Sequence, residues 1–192
     1  VKATVNAATA TTLTVTVPVG TNYQPITVLN TASGLKAQSR LPFNVTFSSG
    51  LSISAMNFAA KVDSVTATRP SGLATGDMDG DGKPDLVMGH SVTQSIRIYR
   101  NNSTGNTVSF RSKANLTLNS STTGLVVEDL DGDGKLDIAA SSLTASKVFL
   151  FRNTSIGDEM TFATRVDSAV GGSAQSVAVG DLDGDGKPDL AI

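Results

Sequence analysis

Four aspartates fall within nine residues, and the arrangement occurs three times in the chain. The stretches read DMDGDGKPDL from Asp77, DLDGDGKLDI from Asp129 and DLDGDGKPDL from Asp181. Counting the first acid as position 1, carboxylates stand at positions 1, 3, 5 and 9. They are Asp77, Asp79, Asp81 and Asp85; then Asp129, Asp131, Asp133 and Asp137; then Asp181, Asp183, Asp185 and Asp189. So many like charges in so short a loop repel one another unless a cation lies among them. Hard oxygen donors at alternating positions suit Ca²⁺, which takes six to eight oxygens at roughly 2.3–2.6 Å. Position 7 is Lys83, Lys135 and Lys187; there the expected donor is the backbone carbonyl, with the ammonium in solvent. The chemistry is coordination rather than catalysis, with about three Ca²⁺ per chain, one in each loop.

Gly80 and Gly82 are expected to take positive φ, which lets the loop turn tightly enough for its acids to converge. An EF-hand is the obvious competitor, but it needs a bidentate Glu at position 12. Position 12 here is Met88, Ala140 and Ile192. The flanking SGLATG and DLVMG read as short strands, not amphipathic helices.

The elements that must position these loops follow from their spacing. Successive copies begin 52 residues apart, and from Phe58 onward the register holds without insertion: Phe58, Phe110 and Phe162 align, as do Leu73, Leu125 and Val177. A fixed period of this size signals a repeat architecture. Each unit holds four short strand candidates, in the first near FAAKV, GLATG, DLVMG and SIRIYR, with Gly, Ser, Asn and Thr between them. Four strands per repeat of this length predict a β-propeller blade. The units are drawn at 58–109, 110–161 and 162–192, the last incomplete. The small residues Ala74, Gly76, Ala178 and Gly180 suit a crowded innermost strand, and Arg100 and Arg152 are expected to be solvated caps.

Upstream, residues 1–47 alternate Thr and Val with period two and read as antiparallel strands of a sandwich. The stretch 48–57 reads as a flexible linker. The segment TLTVTVPVGTNYQPITVLNTASGLKAQSRLPFNVTF resembles the C-terminal part of an IPT/TIG domain, which has an immunoglobulin-like fold. The stretch 58–192 resembles the FG-GAP/VCBS repeat family, whose blades also occur in integrin α heads, through D-x-D-G-D-G-K-x-D between two short strands. That resemblance implies a calcium-binding hairpin at each loop, with the twelve aspartates above as ligands. Two departures are visible. Glu128 stands where the other units have Gly76 and Gly180, and Leu136 replaces the prolines at 84 and 188. The fold class expected is therefore all-β: a partial propeller after part of an Ig-like sandwich. Both ends are expected to fall inside a fold, so the chain reads as a window on a longer polypeptide.

Composition narrows the function. The chain has 192 residues, a net charge of −2, 39% hydrophobic residues and no Cys, which removes thiol catalysis and Cys-ligated zinc. His90 is the single histidine and has no partner histidine for a zinc site. Twelve of the 17 acids lie in the loops, four in each, so the net charge hides a segregation. No basic cluster with interleaved aromatics supports nucleic-acid binding, and no run of apolar residues is long enough to span a membrane. Asn-x-Ser/Thr sequons occur at Asn44, Asn101, Asn102, Asn115, Asn119 and Asn153. The function expected is a calcium-stabilised structural or adhesive module of a larger secreted or cell-surface repeat protein, such as a stalk, adhesin or filament, and not an enzyme. The alternative is a segment of an extracellular propeller lectin or polysaccharide-acting enzyme. Expected partners are neighbouring domains, copies of itself, and surface glycans or proteins. Extracellular calcium fills even weak sites of about 10⁻⁴–10⁻³ M, which favours a location outside the cell.

Overall fold

In the computed structural model, residues 3–9, 12–16, 24–29, 36–43, 60–63, 66, 69–105 and 107–192 are described, and every regular element among them is a β-strand. The chain divides into two units, Val1–Lys61 and Val62–Ile192.

The first unit holds two antiparallel hairpins. Strand β1 (Thr4–Ala8) pairs with β2 (Leu13–Thr16), and β3 (Gln24–Leu29) pairs with β4 (Lys36–Phe43). Each ladder shifts register once, between Val5 and Ala7 and between Pro25 and Thr27. A slip of this kind bends a strand and strengthens its twist. Asn6 Nδ2 donates to Thr16 Oγ1 at 2.8 Å across the first hairpin. Of the Thr-Val alternation that the period-two reading placed here, Val15 of β2 is 38% exposed. The expected linker 48–57 lies outside the described residues.

The second unit carries the loops. Strands β5 (Pro70–Gly76), β6 (Asp85–His90), β7 (Ser95–Asn101) and β8 (Phe110–Thr117) form one four-stranded antiparallel sheet in that order. Strands β9 (Gly124–Glu128), β10 (Asp137–Ser142), β11 (Lys147–Phe151) and β12 (Val166–Ala169) form a second. A hairpin of β13 (Ala178–Gly180) and β14 (Asp189–Ala191) follows. The strands near GLATG, DLVMG and SIRIYR stand where the period predicts. The strand opening at Phe110 does not begin its own unit: it hydrogen-bonds along β7, with Asn101 opposite Phe110 and Ser95 opposite Thr117. Each sheet thus takes three strands from one 52-residue unit and its fourth from the start of the next, so the sheets are phased differently from units counted at Phe58. Outer strands satisfy their backbone by pairing wherever a ladder is open, and period alone does not say which ladder that is.

Position in the sheet explains the side-chain pattern. The second strands, β6 and β10, are buried on both faces, and the outer strand β12 is exposed along its length. Val87, Ile96 and Ile98 of the first sheet meet Ile138, Ala140 and Phe149 of the second in one core. Full burial of each large apolar side chain there contributes roughly 1.5–3 kcal/mol. A smaller core joins Ala139 and Val148 to Val177. The first strands lie side by side, β5 against β9 and β9 against β13. The expected crowding there is real at Gly76, where a Cβ would come within 2.5 Å of Leu136 Cδ1, and absent at Gly180, where nothing lies within 4 Å. Leu125 and Val177 are 8% and 6% exposed, whereas their repeat counterpart Leu73 is 59% exposed.

Candidate metal centre

Each Asp-Gly loop joins the first strand of a sheet to its second: β5 to β6, β9 to β10 and β13 to β14. The glycines behave as the loop requires. Gly80 and Gly82 have φ of 78° and 86°, Gly132 and Gly134 have 79° and 87°, and Gly184 and Gly186 have 81° and 88°. The three loops therefore share one backbone path, and strands follow them where an EF-hand would have a helix.

That path aims amide N–H groups at the carboxylates. Asp77 Oδ1 accepts from the amides of Gly80 and Asp81 at 2.8 and 3.1 Å, and its Oδ2 accepts from Gly82 at 2.8 Å. Asp79 Oδ1 accepts from the Asp81 amide at 3.2 Å, and Asp81 Oδ1 accepts from the Lys83 amide at 2.9 Å. Asp85 Oδ2 accepts from Met78 at 3.0 Å and its Oδ1 from Asn101 at 2.8 Å. The second loop repeats each of these bonds through Asp129, Asp131, Asp133 and Asp137. In the third, Asp181, Asp183, Asp185 and Asp189 accept from Gly184 and Gly186, Asp185, Lys187 and Leu182 respectively.

Among the described residues, three carboxylate trios converge, with one oxygen of each acid within 4.8 Å of the others: Asp77, Asp79 and Asp85; Asp129, Asp131 and Asp137; Asp181, Asp183 and Asp189. The fourth acid of each loop, Asp81, Asp133 or Asp185, stands outside its trio. The donor set fits a hard divalent cation. A carboxylate oxygen has two lone pairs, so Asp77 Oδ2, Asp79 Oδ1 and both oxygens of Asp85 each keep one beyond the amide they accept. Burial pushes the carboxyl of Asp85 up to about 6, against the lowering effect of the Asn101 and Met78 amides, with the charges of Asp79 and Asp81 adding to the rise. Asp77 and Asp137 are raised in the same way, burial first. A cation among them would remove that penalty on ionisation.

The lysines stand at position 7 but bring their amides to the position-5 acids. Lys83 Nζ leaves the loop and donates to the Ser103 carbonyl at 3.2 Å, and Lys187 Nζ lies 3.5 Å from Asp185 Oδ2. Glu128, which replaces the glycine of the other units, pairs with Asp137 across the end of β9 and is not in the trio.

Two residue pairs belong to the site that the spacing of acids did not reveal. Arg100 is not a solvated cap. Its Nε lies 2.6 Å from Asp79 Oδ2, one terminal nitrogen 3.3 Å from Asp81 Oδ2, and the other 2.9 Å from Asp158 Oδ1. Arg152 likewise contacts Asp131 Oδ2 through Nε and Asp133 Oδ2 at 3.0 Å. Next to them, Asn101 and Asn153 pin the position-9 acids through their amides. Asn153 is 1% exposed, so this sequon side chain is part of the interior. The missed signal was the Arg-Asn dipeptide, which recurs at the same 52-residue period as the acids.

A family model for the FG-GAP-like repeat matches residues 77–140 and 138–192, more than half of the chain. No curated protein matches the sequence.

Proposed function

The chain belongs to the FG-GAP-like repeat family, and on that premise we propose that it is a calcium-stabilised structural and adhesive module of a larger extracellular repeat protein. The observation that carries this reading is the threefold carboxylate trio, built on one loop path with the same pair of positive-φ glycines. Bound Ca²⁺ supplies charge neutralisation and a rigid crosslink among oxygens that otherwise repel. The residues holding it are the three trios. Asp81, Asp133 and Asp185, with the carbonyls of Lys83, Lys135 and Lys187, complete the shell.

In this reading the two four-stranded sheets are propeller blades at 70–117 and 124–169, and the hairpin after them begins a third. Leu73 supports further repeats: it is exposed at the position where Leu125 and Val177 are buried against the sheet before them. Residues 1–47 are part of an IPT/TIG-type sandwich, and the partners are neighbouring repeats, copies of the chain, or surface glycans and proteins. No catalysis is proposed; what supports this is that the carboxylates are engaged by backbone amides and, in the first two loops, by arginine. Placement outside the cell follows from the calcium supply there.

Isothermal titration of a calcium-stripped sample tests the reading. The expected result is about three Ca²⁺ per chain, one per trio, with little response to Zn²⁺. No uptake, or preference for Zn²⁺, would overturn it.

A further inference from the structure

Arg100 and Arg152 occupy equivalent places, and the chain delivers them there for a structural reason. The amide of the next residue, Asn101 or Asn153, bonds the position-9 acid at 2.8 or 2.7 Å. This fixes the end of the third strand beside the loop and leaves the preceding side chain facing its middle acids. Each guanidinium then bridges positions 3 and 5, so Asp79 with Asp81 and Asp131 with Asp133 share one cation. The rigid fork of arginine suits such a double contact. In both loops the position-5 acid so held is the one that stands outside the trio. The Asp79 side chain is 1% exposed, so that ion pair is well shielded from water on the carboxylate side.

We propose that Arg100 and Arg152 are resident counter-cations that set the calcium threshold of the first two loops. Each holds its loop closed when no metal is bound. Each also opposes metal binding, by its positive charge and by the ion pairs to Asp79 and Asp81 or to Asp131 and Asp133 with which a metal must compete. This rests on the reading of the trios as calcium sites. It adds that the first two sites are weakened on purpose and the calcium-free loop is stabilised in exchange.

The test is calcium titration of the 192-residue chain against Arg100→Gln and Arg152→Gln, with Arg100→Lys as the variant that keeps the charge. Removing one positive charge beside a dication should tighten one site on the order of tenfold, while Arg100→Lys, which keeps the charge but loses the fork, should tighten it less. In calcium-stripped buffer the Gln variants should melt lower than the unmodified chain, a readout independent of metal. Equal or weaker calcium binding by both Gln variants would overturn the inference while leaving the sites intact. If the unmodified chain takes up no calcium, the site reading itself fails, and the inference fails with it. If Arg100→Gln does not fold, Arg152→Gln carries the test, since its side chain is 56% exposed and holds only the loop acids.

Discussion

Asn153 Nδ2 donates to the carbonyl of Met78 at 2.9 Å, across 75 residues of chain and between two sheets. The same nitrogen donates to the Leu136 carbonyl at 2.9 Å. Met78 lies in the first loop and Leu136 in the second, so one buried amide ties the two candidate metal sites together. Asn101, its repeat counterpart, donates its Nδ2 to Pro84 of its own loop and accepts from the Ser103 amide, without a bond to another sheet among the described residues.

Asn153→Ala should therefore cost more than Asn101→Ala. It strands the buried Met78 carbonyl, the partly buried Leu136 carbonyl and the Ser155 amide, and a fully buried group costs about 1–3 kcal/mol when left unpaired. Chemical denaturation should show a loss of at least about 3 kcal/mol for Asn153→Ala and a smaller one for Asn101→Ala, which strands the exposed Pro84 carbonyl and the partly buried Ser103 amide. Equal losses would mean that the link between the sheets contributes nothing.

Calcium should raise thermal stability strongly. A ligand at a hundred times its Kd stabilises by about 2.7 kcal/mol per site. Three sites so filled would contribute about 8 kcal/mol, comparable with the whole stability of a domain. Melting in 2 mM calcium and in excess chelator should differ by far more than doubling the monovalent salt produces. A melting temperature unchanged by chelation would remove the structural role proposed for the metal.

The pH dependence should reverse between the two forms. Without metal, Asp85 has its pKa raised from 3.8 to about 6 by burial. The folded chain then binds more protons than the unfolded chain between those values. Stability is therefore full below about 4 and falls as pH rises through about 6. With calcium the carboxylates must be ionised to bind, so the stabilisation by metal grows over the same window. Melting curves from pH 4 to pH 7.5 on calcium-stripped and calcium-loaded samples should slope in opposite directions.

Gly132→Ala isolates the backbone. Its φ is 79° with nothing within 4 Å of a new Cβ, so the substitution adds strain without a clash. A loss of about 1–2 kcal/mol is expected, with weaker calcium binding at the second loop. Gly171→Ala, equally open and without a positive φ, is the matched control and should be neutral. A neutral Gly132→Ala would show that the loop does not need its left-handed residue.

Asp79→Ala should lower the calcium stoichiometry by one and leave the other two sites. It also removes one of the three carboxylates that Arg100 contacts, so the calcium-free form should lose stability as well. Retention of all three sites by titration would place the first cation elsewhere.

The loops were legible from sequence because their geometry is local. The acids, the glycines that turn between them and the lysine amides all lie within nine residues, and the loop path follows from their order. Repetition then separated them from chance Asp-Gly turns. The all-β class was legible for the same reason, since alternation and turn residues act over a few positions. What joins distant segments was not legible. Strand β8 pairs with β7 because that ladder was open, and the 52-residue period is silent on phase. Arg100 reaches Asp79 and Asp81 only because β7 ends beside the loop, and a strand-end arginine in sequence looks the same whether it meets water or a carboxylate. Local spacing brings the acids of one loop together, whereas the tertiary structure decides which three of them converge, which a guanidinium already holds and which loops a single buried asparagine couples.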